Sequence, residues 1–484
     1  MHFILRLFPE ITIKSPSVRK RMARQLADNT RIILRREYPS ARVKQDWDKL
    51  DVNIRGLEDA VTARGVSALL SRIPGIANFS RVRIFEAGDL QQIYEDTASV
   101  WGEALAGKTF RVRAKRVGEH DFGSIELERY VGGGLNQNFD AAGVNLKEPD
   151  VTVHIEVRGD VLYVIEQKTQ GLGGFPVGTQ GQVLSLVSGG FDSTVASYQC
   201  IKRGLRTHYC FFNLGGKAHE LGVKELSYYL WNRYGSSHRV RFITVPFEEV
   251  VKEIIEKVDP ACMGVVLKRM MFRTAEKIAM RAKAEALVTG EAVAQVSSQT
   301  LTNLKCIDQA TDALVIRPLA LMNKGDIIDE ARFIGAEALA ASIPEYCGVI
   351  SIKPSASVKM HQLEAAEAHM DMTVLDRALE ASKAQLIDEV MADVEKGQAE
   401  VDHVAVPQAG DVVVDIRHPD EIEFKPLTVS GALEVIPFYN LNEAYSALDA
   451  TKRYLLYCDK GVMSQLHASH LKDEGHRNVA VYRP

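Results

Sequence analysis

Apolar and polar positions alternate along this chain with two different periods, and the switches between them mark its parts. A strand-like run at 2–7 leads into a basic helix in which Met22, Leu26, Ile32 and Leu34 interleave with Arg19, Lys20, Arg21, Arg24, Arg31, Arg35 and Arg36. Residues 1–60 thus read as a small α+β unit. From 61 to 166 short strands dominate. Phe110, Val112 and Ala114 alternate with Arg111, Arg113 and Lys115, and runs at 151–158 and 161–165 flank a Gly159-Asp160 hairpin turn. Between them a short helix is expected to be capped by Ser124 and ended by Gly132-Gly133-Gly134. A glycine-rich connector at 171–176 precedes an alternation of strands and helices over 177–398, with strands at 183–187, 207–214, 239–245, 286–289 and 313–316. That rhythm predicts a mostly parallel, doubly wound sheet with helices on both faces, and two helices over 355–398 leading out of its core. Residues 404–484 form another small α/β pattern, with strands at 411–417 and 454–457 and a closing helix before Gly475.

A length of 484 residues exceeds what one core can organise, which agrees with a multidomain α/β chain. No apolar run approaches a membrane span, and the N-terminus lacks the apolar core of a signal peptide, so a cytoplasmic protein without membrane contact is expected. The net charge of −4 conceals an asymmetry: residues 1–120 carry 22 Lys and Arg against 14 Asp and Glu. A basic front on an acidic body suggests a polyanionic partner for the N-terminal part. Six cysteines without CxxC spacing argue against a zinc site and against a secreted disulfide framework. Cys200, Cys210, Cys262 and Cys306 read as core residues.

Two turns carry chemistry. In Ser188-Gly189-Gly190-Phe191-Asp192-Ser193-Thr194, an apolar strand runs into paired glycines and then a helix. Backbone N–H groups, the positive helix end and the hydroxyls make this a phosphate site. It lacks the Gly-Lys-Ser/Thr ending of a P-loop. Thr289-Gly290-Glu291, Gln295, 297–300, Arg317-Pro318-Leu319 and Lys324 belong where strand ends would meet a nucleotide, and Lys324 is the cation an α-phosphate needs as its charge shifts. Cys458 ends a strand in a turn, Cys458-Asp459-Lys460-Gly461-Val462-Met463-Ser464, whose N–H groups form an anion nest suited to a thiolate or persulfide. Cys347, in Pro344-Glu345-Tyr346-Cys347-Gly348, lies 111 residues earlier, so only folding could bring the two together.

SGGFDST resembles the PP-loop of enzymes that split ATP into AMP and pyrophosphate. The basic strand and terminal hairpin resemble a THUMP RNA-binding domain, preceded by a ferredoxin-like unit, and CDKGVMS resembles a rhodanese active loop. Met463 stands where many thiosulfate-using rhodaneses have a basic residue, which favours sulfur delivered by a protein. In this order the segments resemble the ThiI family of tRNA uridine 4-sulfurtransferases in its rhodanese-bearing form. The resemblance implies domains at 1–60, 61–166, 177–398 and 404–484. It implies ATP binding by Ser188, Gly189, Gly190, Asp192, Ser193, Thr194, Phe212, Lys268, Gly290 and Gln299, with magnesium on Asp192 through the phosphates. Arg111, Arg113, Lys115 and Arg116 would contact tRNA. Uridine would be adenylated with the help of Asp192 and Lys324, and Cys458 would carry persulfide sulfur from a cysteine desulfurase. A Cys347–Cys458 disulfide would follow. Sulfur donation to the thiazole of thiamine, through a sulfur-carrier protein, is a second implied role, and homodimerisation stays open. Two other readings remain at this point: a PP-loop enzyme acting on a different tRNA base, and an RNA-binding sulfur carrier without adenylation activity.

Overall fold

The computed structural model describes all residues except 47–48, 57–58, 215, 344–353, 400, 418–421, 423–424, 430, 438–440, 442–443 and 459–461. Two units are distinguished, Met1–Thr179 with Lys202–Gly204, and Gln180–Ile201 with Leu205–Pro484.

The first unit is built on eight strands: β1 (His2–Leu7), β2 (Arg42–Gln45), β3 (Lys49–Asn53), β4 (Ile76–Glu86), β5 (Thr109–Val117), β6 (Gly143–Val144), β7 (Val151–Arg158) and β8 (Val161–Gln170). Their order is β2-β3-β1-β4-β8-β7-β5-β6, and the long antiparallel pairing of β4 with β8 makes one sheet of them. Helices Pro16–Glu37 and Ala60–Leu70 bury Phe3, Leu5, Leu50 and Phe79. Helices Leu90–Trp101 and Ser124–Asn138 bury Phe110, Val112, Val153 and Leu162. The expected stop at the three glycines is corrected here, because the helix Ser124–Asn138 runs through all of them from an N-cap at Gly123. Packing explains Gly134, where a Cβ would lie 2.4 Å from the Tyr94 ring, whereas a Cβ at Gly133 would meet open space. At Gly134 close approach outweighs the roughly 1 kcal/mol that a glycine costs a helix.

The second sheet contains β9 (Gln182–Leu186), β10 (Arg206–Asn213), β11 (Arg241–Pro246), β12 (Ala286–Val288), β13 (Leu314–Ile316) and β14 (Lys383–Leu386), ordered β13-β12-β9-β10-β11-β14. The first five are parallel. Alternation along β9 sends Val183 into one core layer and Leu184 into the other, as a doubly wound sheet requires. Strand order reverses between β9 and β12, and ligands of such sheets bind beyond the carboxyl ends of the strands at that switch. The trailing segment departs from expectation. Helices Met360–Ala368, Thr373–Glu380 and Val390–Ala399 enclose β14, which pairs antiparallel with β11. Lys383-Ala384-Gln385-Leu386 alternates over only four residues, too few to announce a strand, and its pairing with β11 makes it one.

The third sheet has β15 (His403–Val404), β16 (Asp411–Asp415), β17 (Ala432–Val435), β18 (Arg453–Tyr457) and β19 (Val479–Tyr482) in the order β15-β19-β18-β16-β17, all parallel. Among the described residues no helix is long and apolar enough to cross a membrane.

Glu367 ties the trailing helices to the core. Its carboxylate binds the buried Arg269, and Arg273 Nη2 at 2.6 Å. Burial alone would raise its pKa, but the hydrogen bonds and charges of these two arginines hold it below the usual glutamate value. A depressed folded-state pKa contributes stability above the unfolded value of 4.5 that disappears as pH falls through the folded one. Glu367→Gln should therefore destabilise the protein at neutral pH by about 3 kcal/mol. In thermal melts the gap from the parent should close as pH falls below the ordinary glutamate range.

Candidate active site

β9 ends at Leu186, and Ser188-Gly189-Gly190 turns the chain into helix Phe191–Lys202. Gly189 has φ +89°, and a Cβ there would lie 2.7 Å from Ile343, so the turn needs glycine for both its conformation and its packing. The Ser193 hydroxyl accepts from the Ser188 N–H at 3.2 Å. His219 Nε2–H donates to the Ser188 carbonyl at 2.9 Å and lies edge-on to Phe211. Beside this turn, Gly290 follows β12 so closely that a Cβ on it would lie 2.5 Å from the Asp192 carbonyl carbon.

These segments frame a cavity of about 470 Å³. Leu186, Phe212, Leu214 and Met271 line its apolar part, and Ser188, Asp192, Ser193, Lys268, Glu291 and Gln299 its polar part. The size and the mixed wall suit a nucleotide-sized ligand. Of the residues expected at an ATP site, Ser188, Asp192, Ser193, Phe212, Lys268, Gly290 and Gln299 line this cavity. Thr194 does not: its hydroxyl donates to the Gly190 carbonyl at 2.9 Å and is buried in the first helical turn. Gly189 and Gly190 shape the turn but are not among the residues lining the cavity either.

Asp192 is held from two sides. Lys324 Nζ lies 2.7 Å from Oδ1, and Gln295 Nε2 donates to Oδ2 at 2.7 Å. Lys324 also sits 5.8 Å from the centre of the Phe191 ring, with its charge partly in solvent. Deeper in the wall, Glu291 bridges Lys268 at 2.7 Å and Arg317 at 2.8 Å. Burial would raise the Glu291 pKa, yet the two facing cations keep it below the usual range. Asp192 lines the cavity, and a carboxylate there could help hold a magnesium ion whose other ligands are phosphates and water. Among the described residues no group of three or more His, Cys, Asp or Glu could hold a metal unaided.

The basic strand β5 is placed on the first sheet, where its four cations have separate surroundings. Arg111 binds Thr152 and the Leu146 carbonyl, Arg113 pairs with Glu128 at 3.1 Å, and Arg116 reaches the His120 carbonyl at 3.3 Å. Lys115 lines a shallow basin with Arg6, His154, Glu156 and Lys168. Burial and the nearby Lys168, Arg111 and Arg113 lower the His154 pKa, the mark of a positive potential on this face.

Cys458 follows β18 and is 5% exposed. The Ser464 N–H, in the first turn of helix Val462–Asp473, points to its Sγ at 3.3 Å. Asp415 and Arg417 form a buried pair at 2.6 Å under the same sheet, and Arg417 lies over the Tyr457 ring. Cys347 falls outside the described residues, as does any Cys347–Cys458 pairing. Cys200, Cys210, Cys262 and Cys306 are buried in the hydrophobic cores of the second sheet, and desolvation pushes the Cys200 thiol up to about 12. His219 carried no signal in the sequence, being a lone histidine until the fold brings it under the glycine turn.

Comparison with known proteins agrees with this arrangement. Family models match in series: the ThiI ferredoxin-like domain at residues 2–80, the THUMP domain at 87–165, the thiamine biosynthesis protein ThiI at 178–372 and the rhodanese-like domain at 398–483. A protein of Saccharophagus degradans named tRNA sulfurtransferase is 58% identical over 100% of both chains. One of the same name from Aeromonas salmonicida is 53% identical over 100% of both. A crystal structure of a 4-thiouridine synthetase–RNA complex with bound ATP superimposes with a TM-score of 0.71 at 28% identity, covering 80% of this chain and 99% of that one. With full-length relatives this similar and all four domains in register, the chain belongs to the ThiI family of tRNA sulfurtransferases.

Proposed function

We propose that this protein uses ATP to replace the O4 of a tRNA uridine, at position eight, by sulfur, giving 4-thiouridine. The observation that carries this reading is the cavity behind the glycine turn, where Asp192 is held between Lys324 and Gln295 at the end of the parallel sheet. The 4-thiouridine synthetase of similar fold, crystallised with RNA and ATP, supports it.

A uracil carbonyl oxygen is a poor leaving group, so it is activated first. O4 attacks the α-phosphorus of ATP, pyrophosphate departs, and the oxygen becomes part of an adenylate. The Ser188–Ser193 turn cradles the phosphates, and Lys324 leaves Asp192 to balance charge on the α-phosphate. Magnesium, when bound through Asp192, would draw charge from the phosphate oxygens. The terminal sulfur of a Cys458 persulfide, loaded by a cysteine desulfurase, then attacks C4, and AMP leaves. Thiolate from Cys347 attacks Sγ of Cys458, breaking the S–S bond so that sulfur stays on C4, and a Cys347–Cys458 disulfide remains for a dithiol to reduce. The N–H of Ser464 beside Sγ favours the anionic sulfur this sequence requires. Arg6, Lys115 and Lys168 on the first sheet offer phosphate contacts for the RNA. The same Cys458 persulfide would serve thiazole synthesis through a sulfur-carrier protein.

Asp192→Asn and Lys324→Ala should each reduce thiolation by at least about 100-fold while leaving tRNA affinity near that of the parent. Nucleoside analysis of tRNA after reaction with ATP, magnesium, cysteine and a desulfurase checks this, and undiminished 4-thiouridine would refute the assignment. Cys458→Ala should accept no sulfur-35 from a loaded desulfurase yet still release pyrophosphate in the presence of tRNA.

A further inference from the structure

The wall of the cavity contains a buried anion that the proposed chemistry does not use. Glu291 follows the Thr289-Gly290 turn after β12, and its side chain is 7% exposed. Oε1 accepts from Lys268 Nζ at 2.7 Å, and Oε2 accepts from Arg317 Nε at 2.8 Å and from the Thr289 hydroxyl at 3.0 Å. Arg317 is itself fixed, since its two terminal nitrogens bind Asp308 at 3.1 and 2.5 Å. Glu291 is thus held on Oε2 by Arg317 and Thr289, and its Oε1 faces Lys268.

Lys268 is the cation of this network that lines the cavity, and it has donors to spare. It projects from helix Met263–Ala282 on a flexible four-carbon stem, and its ammonium carries three N–H bonds. One is spent on Glu291, and the ammonium lines the cavity. A lysine without such an anchor would lose rotamer freedom on binding a ligand and would lie in solvent otherwise. Anchored by a carboxylate that Arg317 and Thr289 hold still, it meets the ligand already in place.

We infer that Glu291 is a positioning residue, which sets nucleotide affinity by holding the Lys268 ammonium toward the ligand in the cavity. This rests on the reading of Lys268 as a nucleotide contact. A purely structural role is the alternative, because the Arg317 bond also ties the end of β12 to the end of β13.

A double-substitution cycle on the full-length protein separates them. Titration calorimetry with α,β-methylene-ATP and magnesium would be run on the parent, Glu291→Gln, Lys268→Met and the double variant, with melting temperatures alongside. Lys268→Met and Glu291→Gln are each expected to weaken binding about tenfold, the scale of a lost charge-assisted hydrogen bond. In the Lys268→Met background Glu291→Gln should add less than about twofold. Loss of affinity that persists undiminished in that background would overturn the inference in favour of the structural role, as would parent-like binding by Glu291→Gln. Parent-like binding by Lys268→Met would instead sink the reading of Lys268 on which the inference stands. Should Glu291→Gln fail to fold, Glu291→Asp keeps the charge but draws the ammonium back by one methylene. It should weaken binding with little change in melting temperature, and parent-like affinity for it would again overturn the inference.

Discussion

The site exists because two backbones touch where a side chain would not fit. At Gly290 the turn after β12 lies against the carbonyl of Asp192 and the N–H of Ser193, so the first turn of helix Phe191–Lys202 is pressed into the switch point of the parallel sheet. A Cβ at 290 would sit 2.5 Å from backbone atoms, which cannot swing aside as a flexible side chain can. This approach sets the depth of the cavity and the direction of the free N–H groups, and it puts Thr289 and Glu291 into one wall and Asp192 into the next. The charges follow from the geometry rather than the reverse.

Those charges are arranged as two carboxylates, each shared between two donors. Asp192 is shared by Lys324 and Gln295, and Glu291 by Lys268 and Arg317. Burying a lone carboxylate costs several kcal/mol, so the enclosed Glu291 depends on its two cations, whereas Asp192, 21% exposed, depends less on Lys324. The two pairs differ in exposure, and the difference separates their roles. The Lys324 side chain is 41% exposed and its bond to Asp192 is exchangeable, whereas Glu291 is enclosed and fixed. An incoming polyphosphate can therefore draw Lys324 from Asp192 at little cost, while the inner pair keeps its form.

Much of this was legible in the sequence, and the parts that were not share a cause. Alternation made β5, β7 and β8 readable, and the paired glycines after an apolar strand located the turn at 188–190. Local signals failed where tertiary contact decides. The glycines at 132–134 look like a helix end, yet the helix runs through them, and at Gly134 it passes so close to Tyr94 that a Cβ would not fit. Helix Leu90–Trp101 and the eleven-residue β4 lie in a stretch expected to hold only short strands, because β4 is paired on both sides and shows no clean alternation. Thr194 has the composition of a phosphate ligand but faces inward, since the fourth residue after Gly190 on a helix points back to that carbonyl. Lys268 and the segment 289–291 are expected at the nucleotide, but the Lys268–Glu291 contact and the place of His219 under the glycine turn come only from the fold.

One helix joins the two chemistries. Gly216–Leu230 carries His219, which holds the Ser188 carbonyl in the glycine turn, and its outer side packs against Val462–Asp473, the helix that follows Cys458. The helix Val390–Ala399 packs on both, and Lys224, buried on Gly216–Leu230, pairs with Asp393 on it at 2.7 Å. A carrier domain tethered only by a loose linker would meet its acceptor at an effective concentration set by linker length. Under the sulfur-carrier role proposed for Cys458, packing on the element that braces the phosphate turn would hold the carrier beside the domain of its acceptor by more than a linker.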